Sequence, residues 1–282
     1  MRKSYTLSAL VLAHYRATKR DLPWRRTRDP YAVLVSEVML QQTQAARVAP
    51  AFERFMDRFP TLSALAAAPL ASVLREWSGL GYNRRARDLH RIARLCESGL
   101  PADVSELDAL PGIGAYTAGA IACFAFGARV AFADVNIERV LGRVFLGRPA
   151  TYREATELDA RAMPARSTDL WHHALMDLGA TICRATDPTC ERCPLRTLCR
   201  YATSDGPEAA AATPERKAPR HISFKGSDRR IRGAIVRALT RDDLTIGALQ
   251  KEINDERVGR LIGALVADGL VERAGRRYRL PL

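Results

Sequence analysis

The sequence predicts a mainly α-helical protein ending in a small mixed segment. Three observations carry that expectation. Apolar residues recur three and four positions apart through most of the chain. The turns between these stretches are short and built from Pro, Gly, Asn and Asp. Only near the C-terminus does a stretch, 270–280, read as a β-hairpin, after three further helical segments.

The first helix is expected over 6–18, with Leu7, Leu10, Val11 and Tyr15 on one face. Leu22-Pro23-Trp24-Arg25 breaks it. Asp29-Pro30 supplies an N-cap and a first-turn proline for a nearly all-apolar helix from Tyr31 to about Thr43. Glu37 lies in its middle. It is either a glutamate on an exposed face or a carboxyl buried among apolar neighbours, where the protonated form suited to a general acid is favoured. Helices follow near 46–58, 62–67, 70–77 and 84–97, joined as in an orthogonal bundle. Between the last two lies Gly79-Leu-Gly-Tyr-Asn-Arg-Arg-Ala-Arg87, a loop that can bend sharply and present Tyr82. Tyr82 suits stacking on a base or a place in the core. Arg84, Arg85 and Arg87 read as phosphate contacts or as solvated charges.

A short helix through Val104, Leu107 and Leu110 ends at Pro111-Gly112-Ile113-Gly114, and a second starts near Ala115 and runs to Phe126. A Gly-x-Gly turn between two helices exposes backbone N–H groups that a phosphate can approach at Gly112 and Gly114; an ordinary tight turn is the plainer reading. After the β-prone run Val130-Ala131-Phe132, Asp134 precedes a helix over 137–145 and could serve simply as its N-cap. A helix through Trp171–Gly179 carries His172 and His173, which read as a polar face.

Charge is lopsided: 44 Lys and Arg stand against 31 Asp and Glu, a net +13, and nearly all the cations are arginine. That balance favours a polyanionic partner, nucleic acid before any other. No run of about 20 apolar residues exists, so no membrane span is expected, and the start of the chain reads as an amphipathic helix, not a signal peptide. The protein is expected in the cytoplasm, at the nucleoid. Four of the six cysteines are compressed into Cys183-x6-Cys190-x2-Cys193-x5-Cys199. In a cytosolic chain such spacing indicates a metal centre; on chemistry alone four thiolates suit zinc or a [4Fe–4S] cluster. Cys96 and Cys123 read as core thiols.

From about Asp21 to Cys199 the chain resembles the helix-hairpin-helix DNA glycosylases. The matching residues are the Leu110–Gly119 hairpin, Asp134-Val-Asn136 and the four cysteines, which the resemblance assigns to a [4Fe–4S] cluster. Ser36-Glu-Val-Met-Leu-Gln-Gln-Thr-Gln44 is similar to the adenine-excising, MutY-type branch. There the residue at Glu37 protonates adenine, and those at Gln41 and Gln42 probe the opposite strand. The residue at Asp134 stabilises an oxocarbenium-like sugar cation, and Asn136 helps place water or sugar. Tyr82 would be a wedge. Tyr116 stands where bifunctional members carry a Schiff-base lysine, which implies a monofunctional enzyme. Arg20, Trp24 and His173 are expected around the base pocket; His173 departs from the Gln or Glu common in adenine-specific members, which bears on base selectivity.

The resemblance implies a two-lobed fold: a six-helix bundle with the hairpin over 26–129, and a cluster lobe built from residues 130–203 together with the N-terminal helix within 1–25. Residues 204–220 read as a linker and 221–282 as a small winged-helix-like domain, in a length that leaves no room for the larger Nudix-like domain of other adenine glycosylases. The expected function is that of a monomer excising adenine opposite 8-oxoguanine or guanine in double-stranded DNA. A thymine or uracil mismatch glycosylase and a non-catalytic iron–sulfur DNA-binding protein are the alternatives.

Overall fold

The structure is a computed structural model, and it describes residues 2–203 and 226–282. The expected linker at 204–220 lies outside the described residues. The first part is helical: α1 Arg2–Thr18, a 3-10 turn at Pro23–Arg26, α2 Pro30–Leu40, α3 Ala45–Arg58, α4 Leu62–Ala67, α5 Leu70–Glu76, α6 Arg84–Leu95, α7 Val104–Asp108 and α8 Ala115–Phe126. Then come α9 Val135–Leu146, α10 Tyr152–Ala162, α11 Thr168–Thr181, two short 3-10 turns and α12 Arg200–Thr203. The C-terminal part holds α13 Asp228–Leu239, β1 Leu244–Thr245, α14 Ile246–Ile253, α15 Val258–Ala267, β2 Glu272–Ala274 and β3 Arg277–Arg279. Its three strands are antiparallel in the order β1-β3-β2, with Leu244 opposite Tyr278 and Arg273 opposite Tyr278 on the other side. None of the helices is long and apolar enough to cross a membrane among the described residues.

Local chemistry sets the boundaries. The Asp29 carboxylate accepts from the N–H groups of Tyr31 and Ala32, and Pro30 follows as a preformed first residue, so α2 starts there. Thr151 and Glu154 form a reciprocal capping box at the start of α10. The β-prone run at 130–132 forms no strand; it is an extended approach to α9.

The chain gathers into two compact units. One holds α1 and α7 to α12; the other holds the 3-10 turn at Pro23–Arg26, α2 to α6, Ala109–Ile113 and the C-terminal elements. The expected boundary near 129 therefore falls elsewhere. α8 belongs with the unit that holds the four clustered cysteines because its Cys123 and Phe124 meet α11: the Cys123 thiol lies 3.6 Å from Nδ1 of His172, and Phe124 stacks on His173 at 4.1 Å. The C-terminal elements do not stand apart from the helices before them. Asp268 receives Arg84 at 2.7 Å and also Arg232, and the Ala71 N–H donates to the Pro281 carbonyl at 2.9 Å.

The core of the first unit is formed by Leu7 and Val11 of α1, Ile137, Val140 and Leu141 of α9, and Trp171 and Leu175 of α11. In the second, Phe55 meets Phe59 and Trp77 edge-on at 5.0 and 6.0 Å. Such aromatic pairs add to the burial of their own surface.

Candidate active site

In the second unit, α2 places Glu37 among residues 33–39, all of them buried; Glu37 itself is 5% exposed, so the exposed-face reading is excluded. The helix stops at Leu40, three residues short of the expected end, because Gln42 takes a left-handed φ of +55°. Its last carbonyls need partners from elsewhere, and Arg85 provides them. One guanidinium nitrogen donates to the carbonyls of Val38, Met39 and Gln41 at 2.6–2.9 Å; the other reaches Thr43 Oγ1 at 3.2 Å and the Gly81 carbonyl at 3.2 Å. Arg85 thus ties the Gln41-Gln42-Thr43 turn to the Gly79–Tyr82 loop. It is neither a phosphate contact nor a solvated charge. Burial lowers its pKa to about 10, against a smaller opposing effect of Tyr82, and it stays charged at neutral pH.

Tyr82, with φ +49°, lies between cations: Arg85 and Arg229 stand 5.4 and 4.8 Å from its ring centre, and Arg229 also donates to its hydroxyl. Arg84 and Arg87 both bond Asp268, Arg84 through its carboxylate and Arg87 through its carbonyl, and Arg84 is exposed. Trp24 is buried and meets Phe52 edge-on at 5.8 Å.

The hairpin turn begins in the same unit. Gly112 has φ +73°, and a Cβ there would also lie 3.2 Å from the Asp88 side chain, so only glycine fits without strain. Its carbonyl accepts from Gln41 Nε2 at 3.3 Å, which ties the hairpin to the end of α2.

Gly114 opens the part that belongs to the first unit, as the extended N-cap of α8. Tyr116 follows and meets Phe132 edge-on at 5.7 Å. Two residues beyond Phe132, Asp134 caps α9: Oδ1 accepts from the N–H groups of Asn136 and Ile137 at 3.0 and 2.8 Å, and Oδ2 from Asn136 Nδ2 at 2.7 Å. The N-cap reading of Asp134 is therefore the one observed. The cap holds the carboxylate in one orientation, at the helix end whose dipole stabilises an anion. Asn136 Oδ1 in turn accepts from Arg139 at 2.7 Å, and Arg139 also bonds the carbonyls of Gly179 and Cys183 at 2.7 and 2.6 Å. A Cβ on Gly179 would lie 2.5 Å from that of Asn136, so α11 approaches α9 as closely as it does only because this position has no side chain.

Behind Phe132 lies a buried polar network. Asp159 accepts from Trp171 Nε1 at 2.7 Å, shares a proton position with His172 Nε2 at 2.8 Å, and accepts the Phe132 N–H at 3.3 Å. His172 also stacks on Phe132 at 3.9 Å, so it belongs to the interior and not to a polar helix face. His173 stacks flat on Phe124, at an interplanar angle of 10°. Arg20 meets Asp177 of α11 through its side chain at 2.6 Å and its backbone N–H at 3.1 Å.

Cys183, Cys190, Cys193 and Cys199 line one small cavity of about 20 Å³, together with Arg143 and Tyr201. No disulfide joins them. As they stand, no three metal-ligating side chains among the described residues are close enough to hold an ion. The donor set nevertheless fits an iron–sulfur cluster in kind: four thiols converge, no carboxylate lines the cavity, and Arg143 lies 3.4 Å from Cys183 Sγ, where it would offset anionic charge.

Arg85, Arg139 and Asp159 escaped sequence reasoning. Each acts through partners distant along the chain, and only the density of arginines around 84–87 hinted at the first.

A family model described as "HhH-GPD superfamily base excision DNA repair protein" matches residues 35–164. The adenine DNA glycosylase of Mycolicibacterium smegmatis is 40% identical to this chain, over 93% of it and 92% of the relative. A solved thermostable thymine-DNA glycosylase shares the fold with a TM-score of 0.66 at 30% identity, over 71% of this chain and 97% of that one. Endonuclease III in a non-covalent DNA complex does so with a TM-score of 0.61 at 25% identity, over 71% and 96%. With its hairpin, capped aspartate and buried glutamate in place, the chain belongs to the helix-hairpin-helix superfamily of base excision DNA repair glycosylases, in the adenine DNA glycosylase branch.

Proposed function

We propose that this protein excises adenine mispaired with 8-oxoguanine or guanine in double-stranded DNA, as a monofunctional glycosylase. The observation that carries the reading is the fixed carboxylate of Asp134, with both oxygens held by Asn136 and the N-terminus of α9. An anion so oriented can stabilise positive charge developing on a deoxyribose without reorganising during the reaction. Glu37 supplies the proton: its carboxyl passes H⁺ to the purine, the C–N bond breaks with its electron pair leaving on the base, and water adds to the sugar carbon, giving up a proton that restores the Glu37 carboxyl and leaving a neutral abasic site. Gln41, Gln42 and Tyr82 serve the opposite strand and the gap, Gly112 and Gly114 the phosphates of the hairpin. Arg20, Trp24 and His173 shape the surroundings of the base. Tyr116 offers no amine, so no covalent sugar adduct forms. Cys183, Cys190, Cys193 and Cys199 would hold a [4Fe–4S] cluster, whose contribution when bound is to pin the loop between α11 and α12.

Single-turnover kinetics on a panel of duplexes test this. The native protein should cut adenine opposite 8-oxoguanine or guanine and leave thymine and uracil opposite guanine intact, with no borohydride-trapped adduct. Glu37→Gln should bind the mispair and lose roughly 10²–10⁴-fold in rate. Near-native turnover in that variant removes Glu37 from the chemistry, and preferential cutting of thymine or uracil removes the adenine assignment.

A further inference from the structure

The Tyr82 loop forms one wall of a groove of about 680 Å³, and α13 of the C-terminal segment forms the other. Gln42, Arg47 and Tyr82 face it from the bundle side; Arg229, Arg230 and Arg237 face it from α13. Four arginines thus line the groove, and no Asp or Glu does. Gly233 on α13 faces open space, since a Cβ there would meet nothing within 4 Å. Arg229 and Arg237 are exposed. Arg230 is tethered 3.7 Å from Asp255, which fixes its direction while leaving it charged. A groove whose lining gathers four arginines and no carboxylate, beside an aromatic ring and an exposed amide, has the make-up of a site for a nucleic-acid strand: guanidinium for phosphate, ring for base.

We infer that α13 is part of the DNA-binding surface, and that Arg229 and Arg237 hold phosphates of the strand that enters the groove beside Gln42 and Tyr82. This deepens the proposed function and rests on it. The C-terminal segment then acts as a second wall that makes the probing loop part of a channel, and not as a cover for the helices beneath.

The test measures affinity for an adenine–8-oxoguanine duplex and for a fully paired duplex across a range of salt concentrations. For Arg237→Ala and Arg229→Ala, the slope of log affinity against log salt should shrink by about 1 for each phosphate no longer neutralised, and by about 2 in the double variant. Arg237→Lys keeps a charge and should restore most of the slope; Gly233→Trp fills the groove and should weaken both duplexes with every arginine present. A slope unchanged in all the arginine variants overturns the inference, and that is also the outcome if the groove takes an acidic protein instead. The underlying reading fails separately: a native protein that excises no adenine sinks the proposed function even where the arginines move the slope, and native excision with an unmoved slope sinks only the groove.

Discussion

His172 is fully buried, yet each ring nitrogen faces oxygen: Nδ1 lies 2.7 Å from the Thr168 carbonyl and Nε2 lies 2.8 Å from Asp159. The Thr168 carbonyl and the Asp159 carboxylate oxygen are both acceptors, and only the imidazolium can donate to both. Burial opposes the charge, but the hydrogen bond to Asp159, with Cys123 adding, outweighs it and raises the pKa from 6.5 to about 9. Folding therefore takes up a proton at this residue. Its contribution is complete below the unfolded-state value and is lost as pH climbs through about 9. Thermal melts should show the native protein losing stability across that window, while His172→Gln is less stable near neutrality and flatter with pH. A native protein as stable at pH 9 as at 6.5 would show that the ring is neutral throughout. The sequence could not reveal this. His172 and His173 look alike as neighbours on one helix, and the carboxylate that distinguishes them lies 13 positions away on α10.

At the scale of elements, the ends of α2 differ in how far they could be read. Its start is written in Asp29-Pro30 and forms as expected. Its end carries no glycine or proline stop; the chain leaves the helix after Leu40 with Gln42 at a left-handed φ, and Arg85 from a different helix satisfies the orphan carbonyls. Arg85→Ala should strip partners from several part-buried carbonyls and cost on the order of 3 kcal/mol in urea unfolding. Arg85→Lys should recover only part of that, since one ammonium cannot span the positions a planar fork reaches. Full recovery by lysine would mean that charge alone suffices there. α10 shows the opposite case: Thr151-x-x-Glu154 spells its capping box in the sequence, but the helix has few apolar residues and its periodicity is faint.

At the scale of the molecule, most element types were legible, because caps, breakers and apolar spacing are local. The grouping of elements was less so. That α8 sides with α11 depends on Cys123 and Phe124 meeting two histidines some 50 positions on, a relation no window of sequence contains. The cysteines were visible through their spacing alone, yet what they do for the unit is a collective property. They close the segment after α11 onto Arg143 of α9, with the Cys199 thiol 3.5 Å from the Arg143 carbonyl. With the four thiolates holding the proposed cluster, Cys199→Ser should lower the iron content, and the melting temperature by several degrees, because ligation free energy would then be folding free energy for this segment. Unchanged iron content and melting temperature would remove Cys199 from the ligand set.

The resting place of Tyr82 has a kinetic corollary. On the proposed reading Tyr82 is the ring that enters between two bases, and in this structure it lies against Arg229. Exchanging an exposed guanidinium, worth about 0.5–1 kcal/mol, for a base face, worth about 1–3 kcal/mol, leaves a surplus of only a kilocalorie or two. On that reading so small a reward would let the finger dip into intact helix and withdraw again within the same visit, the habit a scanning enzyme needs when nearly every step it inspects is sound.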